Sequence, residues 1–140
     1  MGSKRKARLD FEQFYQSLYA ERWAALREAL LEANNPIPFS NTLSCPYFLD
    51  EGSVIAADQL PVSDGDTVLD MCAAPGGKSL ILASKLKERG LLVCNDRSST
   101  RRNRLHTVLA EHLPKETMER IRVTSHDATR WALYEREQYD

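Results

Sequence analysis

Asp70, Asp96 and Asp127 each close or follow a short apolar run, and a loop of small residues, C-A-A-P-G-G, spans residues 72–77 just after the first of them. Carboxylates accept hydrogen bonds from sugar hydroxyls and amino groups. Gly76 and Gly77 carry no Cβ, so the backbone there can pass close to a ligand. A loop that opens onto a helix start also presents N–H groups without intrahelical partners at the positive end of the helix dipole. Asp96 lies about twenty residues beyond the glycines, the spacing at which a carboxylate takes both hydroxyls of a ribose. Asp127 is placed to meet an adenine amino group or to cap the helical stretch that follows it, and one role does not exclude the other.

The loop is not a phosphate cradle. G-K-S at residues 77–79 matches the tail of the phosphate-binding loop, but Cys72 stands where that loop needs its first glycine, and Pro75 removes an N–H donor. A dinucleotide site fails for want of G-x-G-x-x-G. S-adenosylmethionine fits the residues better. Its ribose and adenine account for Asp96 and Asp127, and its lack of phosphates accounts for the short loop. Its carboxylate can meet backbone N–H groups near Gly76 and Gly77, with Asp70 in reach of its ammonium.

The elements that must position these residues follow from periodicity. Asp10 with Gln13 forms a capping-box pattern, and apolar residues spaced by three and four predict one amphipathic helix over 11–32 with its aromatic stripe in the core. Residues 36–52 read as irregular connection, with 47–49 either a short strand or a packed loop. A short helix is expected over 53–60. Strands are predicted at 67–70, 91–95 and 121–124, alternating with helices at 78–88, from Ser98 or Ser99 to 112, and around 131–134; Gly90 is read as the C′ glycine of the first. Such alternation means a parallel sheet with ligands at the carboxyl ends of its strands. The expected fold is α/β, a partial Rossmann-like sheet of three parallel strands preceded by a helical segment. The parts are a basic head (1–9), a helical segment and connection (10–60) and a cofactor-binding half-domain (61–140).

Composition adds bounds. A net charge of −1 announces no global affinity for nucleic acid, although Lys4, Arg5, Lys6 and Arg8 form one basic cluster and Arg101, Arg102 and Arg104 another. For both clusters the plain reading is a solvated tail and a solvated helix face. Three cysteines, none in C-x-x-C, suggest neither a disulfide framework nor a zinc site, so a cytoplasmic location is expected and no metal site. No apolar run approaches the ~18 residues of a membrane span.

D-M-C-A-A-P-G-G-K-S (residues 70–79) closely resembles the first motif of the Sun/Fmu family of RNA cytosine-5 methyltransferases, class I enzymes dependent on S-adenosylmethionine. C-N-D-R-S-S-T-R-R-N-R-L (94–105) resembles the family's second motif and V-T-S-H-D-A-T (123–129) its third. The resemblance implies cofactor contacts from Cys72, Ala73, Ala74, Pro75, Gly76, Gly77, Lys78, Asp96 and Asp127. It implies methyl transfer to carbon 5 of cytosine in RNA, ribosomal RNA first and transfer RNA second. In that chemistry a cysteine thiolate adds to carbon 6 of the base while an acid near N3 assists.

The family's Asp-x-Pro-Cys and Thr-Cys motifs, which carry that machinery, are not among these 140 residues. Cys45, Cys72 and Cys94 match no catalytic position and read as small structural residues. No catalytic residue is therefore expected here. The expectation is cofactor binding without methyl transfer, in the N-terminal part of a catalytic domain. A fourth strand, from a missing half or another chain, would cover the first. The alternatives are a non-catalytic RNA-binding or assembly module and, less well supported, a P-loop NTPase.

Overall fold

A computed structural model describes residues 10–33, 35–136 and 138–140. The basic cluster at Lys4–Arg8 lies outside the described residues. The chain divides into two compact units, Met1–Asn34 and Asn35–Asp140.

In the first unit the expected single helix is two. Asp10 accepts from the Gln13 N–H at 2.8 Å and starts α1 (Phe11–Tyr19) with the predicted capping box. At Ala20 the backbone turns to φ 49°, ψ −125°, and α2 (Trp23–Leu31) follows a short 3₁₀ turn. Residues eleven apart on a straight helix would be separated by ~16 Å. Instead Glu12 accepts from Trp23 Nε1 at 2.9 Å and from Arg27 Nε at 2.7 Å, so α2 doubles back on α1. The aromatic stripe expected in a core is mostly exposed: Trp23 is buried, with Tyr15 stacked on it at 5.1 Å, while Phe11, Phe14 and Leu18 face outward.

In the second unit β1 (Ile37–Phe39) and β2 (Tyr47–Leu49) form an antiparallel pair, where the sequence predicts connection for the first and a strand or loop for the second. Asp50 caps α3 (Glu51–Asp58), which begins two residues earlier than predicted. Then come β3 (Thr67–Asp70), α4 (Gly77–Lys85), β4 (Leu91–Asn95), α5 (Ser99–His112), α6 (Lys115–Met118) and β5 (Ile121–Thr124), with a 3₁₀ segment at Ala128–Leu133. The sheet is parallel in the order β3-β4-β5, with Asp70 level with Cys94 and Asn95 level with Thr124. β4 is central, and Leu92, Val93 and Cys94 are fully buried, as their unbroken apolar run requires. Leu80, Leu105 and Leu109 complete the core under α4 and α5, each worth ~2 kcal/mol by area removed from water. Along the outer side of β3, Asp140 donates its N–H to the Thr67 carbonyl at 3.2 Å and accepts from the Thr67 N–H at 2.8 Å.

Glycine roles differ from the sequence reading. α4 ends at Lys85 with Leu86 as its C-cap, so Gly90 is not a C′ residue; a Cβ there would come within 2.6 Å of Leu86 Cδ2. Gly76 has φ +123°, and a Cβ on it would lie 3.1 Å from Val108 and 3.2 Å from Leu105 on α5. A Cβ on Gly77 would meet the Tyr47 ring at 3.1 Å. At both positions the missing Cβ makes room for neighbouring protein, α5 at Gly76 and Tyr47 at Gly77. Gly76→Ala is expected to lower unfolding stability by about 1–3 kcal/mol through φ strain and crowding against α5. Urea unfolding measures this, and an unchanged midpoint would contradict the assignment.

Candidate functional site

The carboxyl ends of β3, β4 and β5 meet at one side chain. Asn95 is the last residue of β4 and is 1% exposed. Its Nδ2 donates to the carbonyls of Met71 (3.0 Å) and His126 (3.1 Å), and its Oδ1 accepts from Thr124 Oγ1 (2.9 Å) and the His126 N–H (2.8 Å). Two donors and two acceptor sites are the full capacity of a carboxamide. The Ala73 N–H also donates to the Asn95 carbonyl, at 2.8 Å, which anchors the small-residue loop to the same residue. A single amide therefore sets the spacing between the loop after β3 and the turn after β5. Asn95→Leu leaves those buried groups unpaired and is expected to cost about 3 kcal/mol or more. Chemical denaturation reads the loss; a cost under about 1 kcal/mol would show that the amide is not the tie.

Two cavities open at these strand ends. The larger, about 650 Å³, is lined by Met71, Cys72, Asn95, Asp96, Ser98, His126 and neighbours; the smaller, about 350 Å³, is lined by the loop residues Cys72, Ala73, Ala74 and Pro75 with Gly77, Lys78, Asp70 and the Asp50–Ser53 corner. Cys72 walls both, so the cavities meet at the loop. Of the residues expected in the site, Asp96 lies on the larger cavity, and Cys72, Ala73, Ala74, Pro75, Gly77 and Lys78 on the smaller. Gly76 and Asp127 line neither.

The three acids have different surroundings. Asp96 is 8% exposed; its Oδ1 accepts from the Ser98 N–H and its Oδ2 from Arg101 Nε, both at 2.9 Å. Arg101 also donates to the Ala74 carbonyl at 2.6 Å, so it ties the carboxylate to the loop. Arg102 donates to the carbonyls of Asp96 and Arg97, each at 2.8 Å. Two members of the arginine cluster, read as a solvated helix face, thus brace the site. Asp127 follows the capping alternative: Oδ1 accepts from the Thr129 N–H and hydroxyl, Oδ2 pairs with Arg97 at 3.0 Å, and the Thr129 hydroxyl foremost holds its pKa below the usual range.

Asp70 is the opposite case. Burial pushes its pKa up, against the lowering effects of Ser79, whose hydroxyl donates at 2.7 Å, of the Cys72 N–H and of Lys78. A carboxyl whose folded pKa is raised opposes folding when ionised, above that pKa, and is without effect below the ordinary value of about 4. Asp70→Asn is expected to melt a few degrees above the wild-type chain at pH 8, the gap closing as the pH falls toward 4. A gap of the same size at both pH values would contradict burial of the charge as its cause.

Lys78 Nζ donates to Ser53 Oγ at 2.9 Å, and that hydroxyl donates to Asp50 Oδ2 at 2.8 Å. The lysine is thus held to the start of α3 instead of reaching over a phosphate loop, which removes the support for a P-loop NTPase. Among the cysteines, Cys94 is buried and its thiol is pushed up to about 12 by desolvation, so it carries no thiolate at neutral pH. Cys45 is exposed, with Sγ 3.2 Å from His112 Nδ1, and lines neither cavity. Among the described residues no group of three or more His, Cys, Asp or Glu could hold a metal ion, and no helix is long and apolar enough to cross a membrane.

The profile described as "16S rRNA methyltransferase RsmB/F" matches residues 57–140, from α3 through the last residue. The chain belongs to this methyltransferase family. Its relatives include the 5-cytosine rRNA methyltransferase NSUN4 of Bos taurus, 42% identical over 96 residues covering 67% of this chain and 25% of the relative. They also include the mitochondrial tRNA (cytosine(34)-C(5))-methyltransferase of Mus musculus, 36% identical over 81 residues covering 58% and 23%. The chain spans about a quarter of the length of these curated relatives. Among solved structures, PH0851 superposes with a TM-score of 0.60 over 89% of this chain and 32% of its own, at 21% identity. NSun6 from Pyrococcus horikoshii, solved with SFG, superposes with a TM-score of 0.51 over 64% and 22%, at 23% identity. Both show the family's Rossmann-like fold in this chain.

Sequence reasoning missed Asn95 and Arg101 as site residues. Asn95 directly precedes the strand-end acid, and Arg101 stands three residues after the Ser98 cap, where the first turn of α5 brings its guanidinium back over Asp96. That offset is the signal by which Arg101 could have been found.

Proposed function

We propose that this chain is the S-adenosylmethionine-binding part of an RNA cytosine-5 methyltransferase, acting on ribosomal RNA. The observation that carries the reading is the Asp96 carboxylate on the wall of the larger cavity, at the end of β4 and beside the loop. The residues present fit the cofactor in two further ways. α4 begins at Gly76 with no side chain capping it, so its first N–H groups stand at the smaller cavity. The cavities share Cys72, so one extended ligand can lie across both, and their volumes are within the range of small-molecule sites.

When bound, the cofactor supplies a methyl group on a sulfonium sulfur. The chain's own residues bind and orient it. Asp96 accepts from the ribose hydroxyls on the lone pairs left by Ser98 and Arg101, the start of α4 meets the carboxylate, and Asp70 offers its charge to the ammonium. Cys94 is buried, Cys45 lines neither cavity and Cys72 belongs to the loop that takes the cofactor, so residues 1–140 alone bind cofactor without methylating RNA. Arg97 on the cavity rim and exposed Arg104 are suited to RNA phosphates. Cys45, Cys72 and Cys94 are all free, which supports a reducing, cytoplasmic compartment.

Calorimetric titration with S-adenosylhomocysteine tests the reading. The wild-type chain is expected to bind, and Asp96→Asn to bind at least about tenfold more weakly through loss of charge-assisted bonds to the ribose. Binding unaffected by Asp96→Asn, or no binding at all, would overturn it.

A further inference from the structure

The base-recognition role expected of Asp127 is left open by the structure, since both its oxygens are engaged, by Thr129 and by Arg97, and Asp127 itself does not line the larger cavity. The residue before it does line that cavity. The imidazole of His126 stacks on Tyr134 with centroids 4.1 Å apart and planes 14° from parallel, and Trp131 meets it edge-on at 5.3 Å and 72°. His126 lines the larger cavity and Tyr134 does not, so the imidazole is the member of this stacked pair that reaches the cavity wall. Its backbone is fixed as firmly as its ring, because the N–H and C=O of His126 both bond to the buried Asn95 amide.

We propose that His126 is the aromatic platform on which the adenine base of the cofactor stacks. The inference rests on the reading of the cavity as a nucleoside site and adds the residue that recognises the base. The geometry suits it. Asp96 follows β4 and His126 follows β5, on adjacent parallel strands about 4.8 Å apart, so a ribose held by Asp96 has its base directed one strand-spacing along the sheet, onto the imidazole. A ring already backed by Tyr134 and edged by Trp131 loses little rotamer freedom when a purine covers its other face. Stacking accepts any flat base face, which explains how base recognition can proceed with Asp127 committed to its cap.

The test compares S-adenosylhomocysteine with S-ribosylhomocysteine, which lacks the base, on the wild-type chain, His126→Ala, His126→Phe and Asp96→Asn, with circular dichroism to confirm folding. For wild type, the base-bearing ligand is expected to bind about tenfold or more tightly than the base-free one. His126→Ala should erase most of that preference while leaving S-ribosylhomocysteine affinity within twofold, and His126→Phe should restore it. Equal losses for both ligands in His126→Ala, no rescue by phenylalanine, or an unchanged preference would each overturn the proposal. Should His126→Ala fail to fold, His126→Phe against His126→Leu carries the same comparison. A wild-type chain that binds neither ligand overturns the cofactor reading itself. Wild-type binding that weakens in Asp96→Asn, with His126→Ala unchanged, overturns the platform alone.

Discussion

The Asn95 carboxamide sets the geometry on which the rest of the site depends. Parallel strands leave their carboxyl-terminal backbone groups unpaired where the ladder stops, and those groups need partners once the strand is buried. Asn95 supplies them for the chain leaving β3 and the chain leaving β5, from the end of the strand between. A fully paired buried amide is rigid, and a partly paired one is costly. The distance from Met71 to His126 is therefore a property of one side chain, and both cavity walls inherit it.

From that fixed frame the three strand-end acids take different characters. Asp96 is nearly buried and pairs with an arginine and a helix-start N–H. Asp127 is committed to Thr129 and Arg97. Asp70 is pressed into the fold by Ser79 and carries the strain of a buried charge. One residue type, at a strand end or within three residues after it, thus does three things, and the surroundings decide which. The loop between them is shaped by protein contacts, with Gly76 against α5 and Gly77 against Tyr47, so α4 and its open N-terminus are clamped in place before any ligand arrives.

Strands 67–70, 91–95 and 121–124 and their parallel pairing were legible because buried strands read as unbroken apolar runs between turn residues, and the turn of small residues at 72–77 was legible because its composition is so restricted. The partners of Asp96 were not. Arg101 belongs to an arginine-rich stretch, and only the turn of α5 reveals that its guanidinium reaches both a carboxylate and a loop carbonyl. The 11–32 helix failed for a related reason: periodicity continues unbroken through Ala20, whose positive φ no residue type announces, and the hairpin is held by Glu12 contacts made across the break. The packing of α5 on Gly76 and of Tyr47 on Gly77 was not legible, since sequence does not say which protein atoms stand where a Cβ is missing.

The central claim is that these strand ends form a nucleoside site organised by Asn95, with Asp96 on the sugar and His126 on the base. A crystal structure of the chain grown with S-adenosylhomocysteine tests it most directly. The account predicts ribose hydroxyls within hydrogen-bond distance of the Asp96 carboxylate, adenine stacked on the His126 ring, and the Asn95 bonds unchanged. Ligand density elsewhere on the chain, or adenine lying away from His126 with its amino group on an Asp127 released from Thr129, would contradict it.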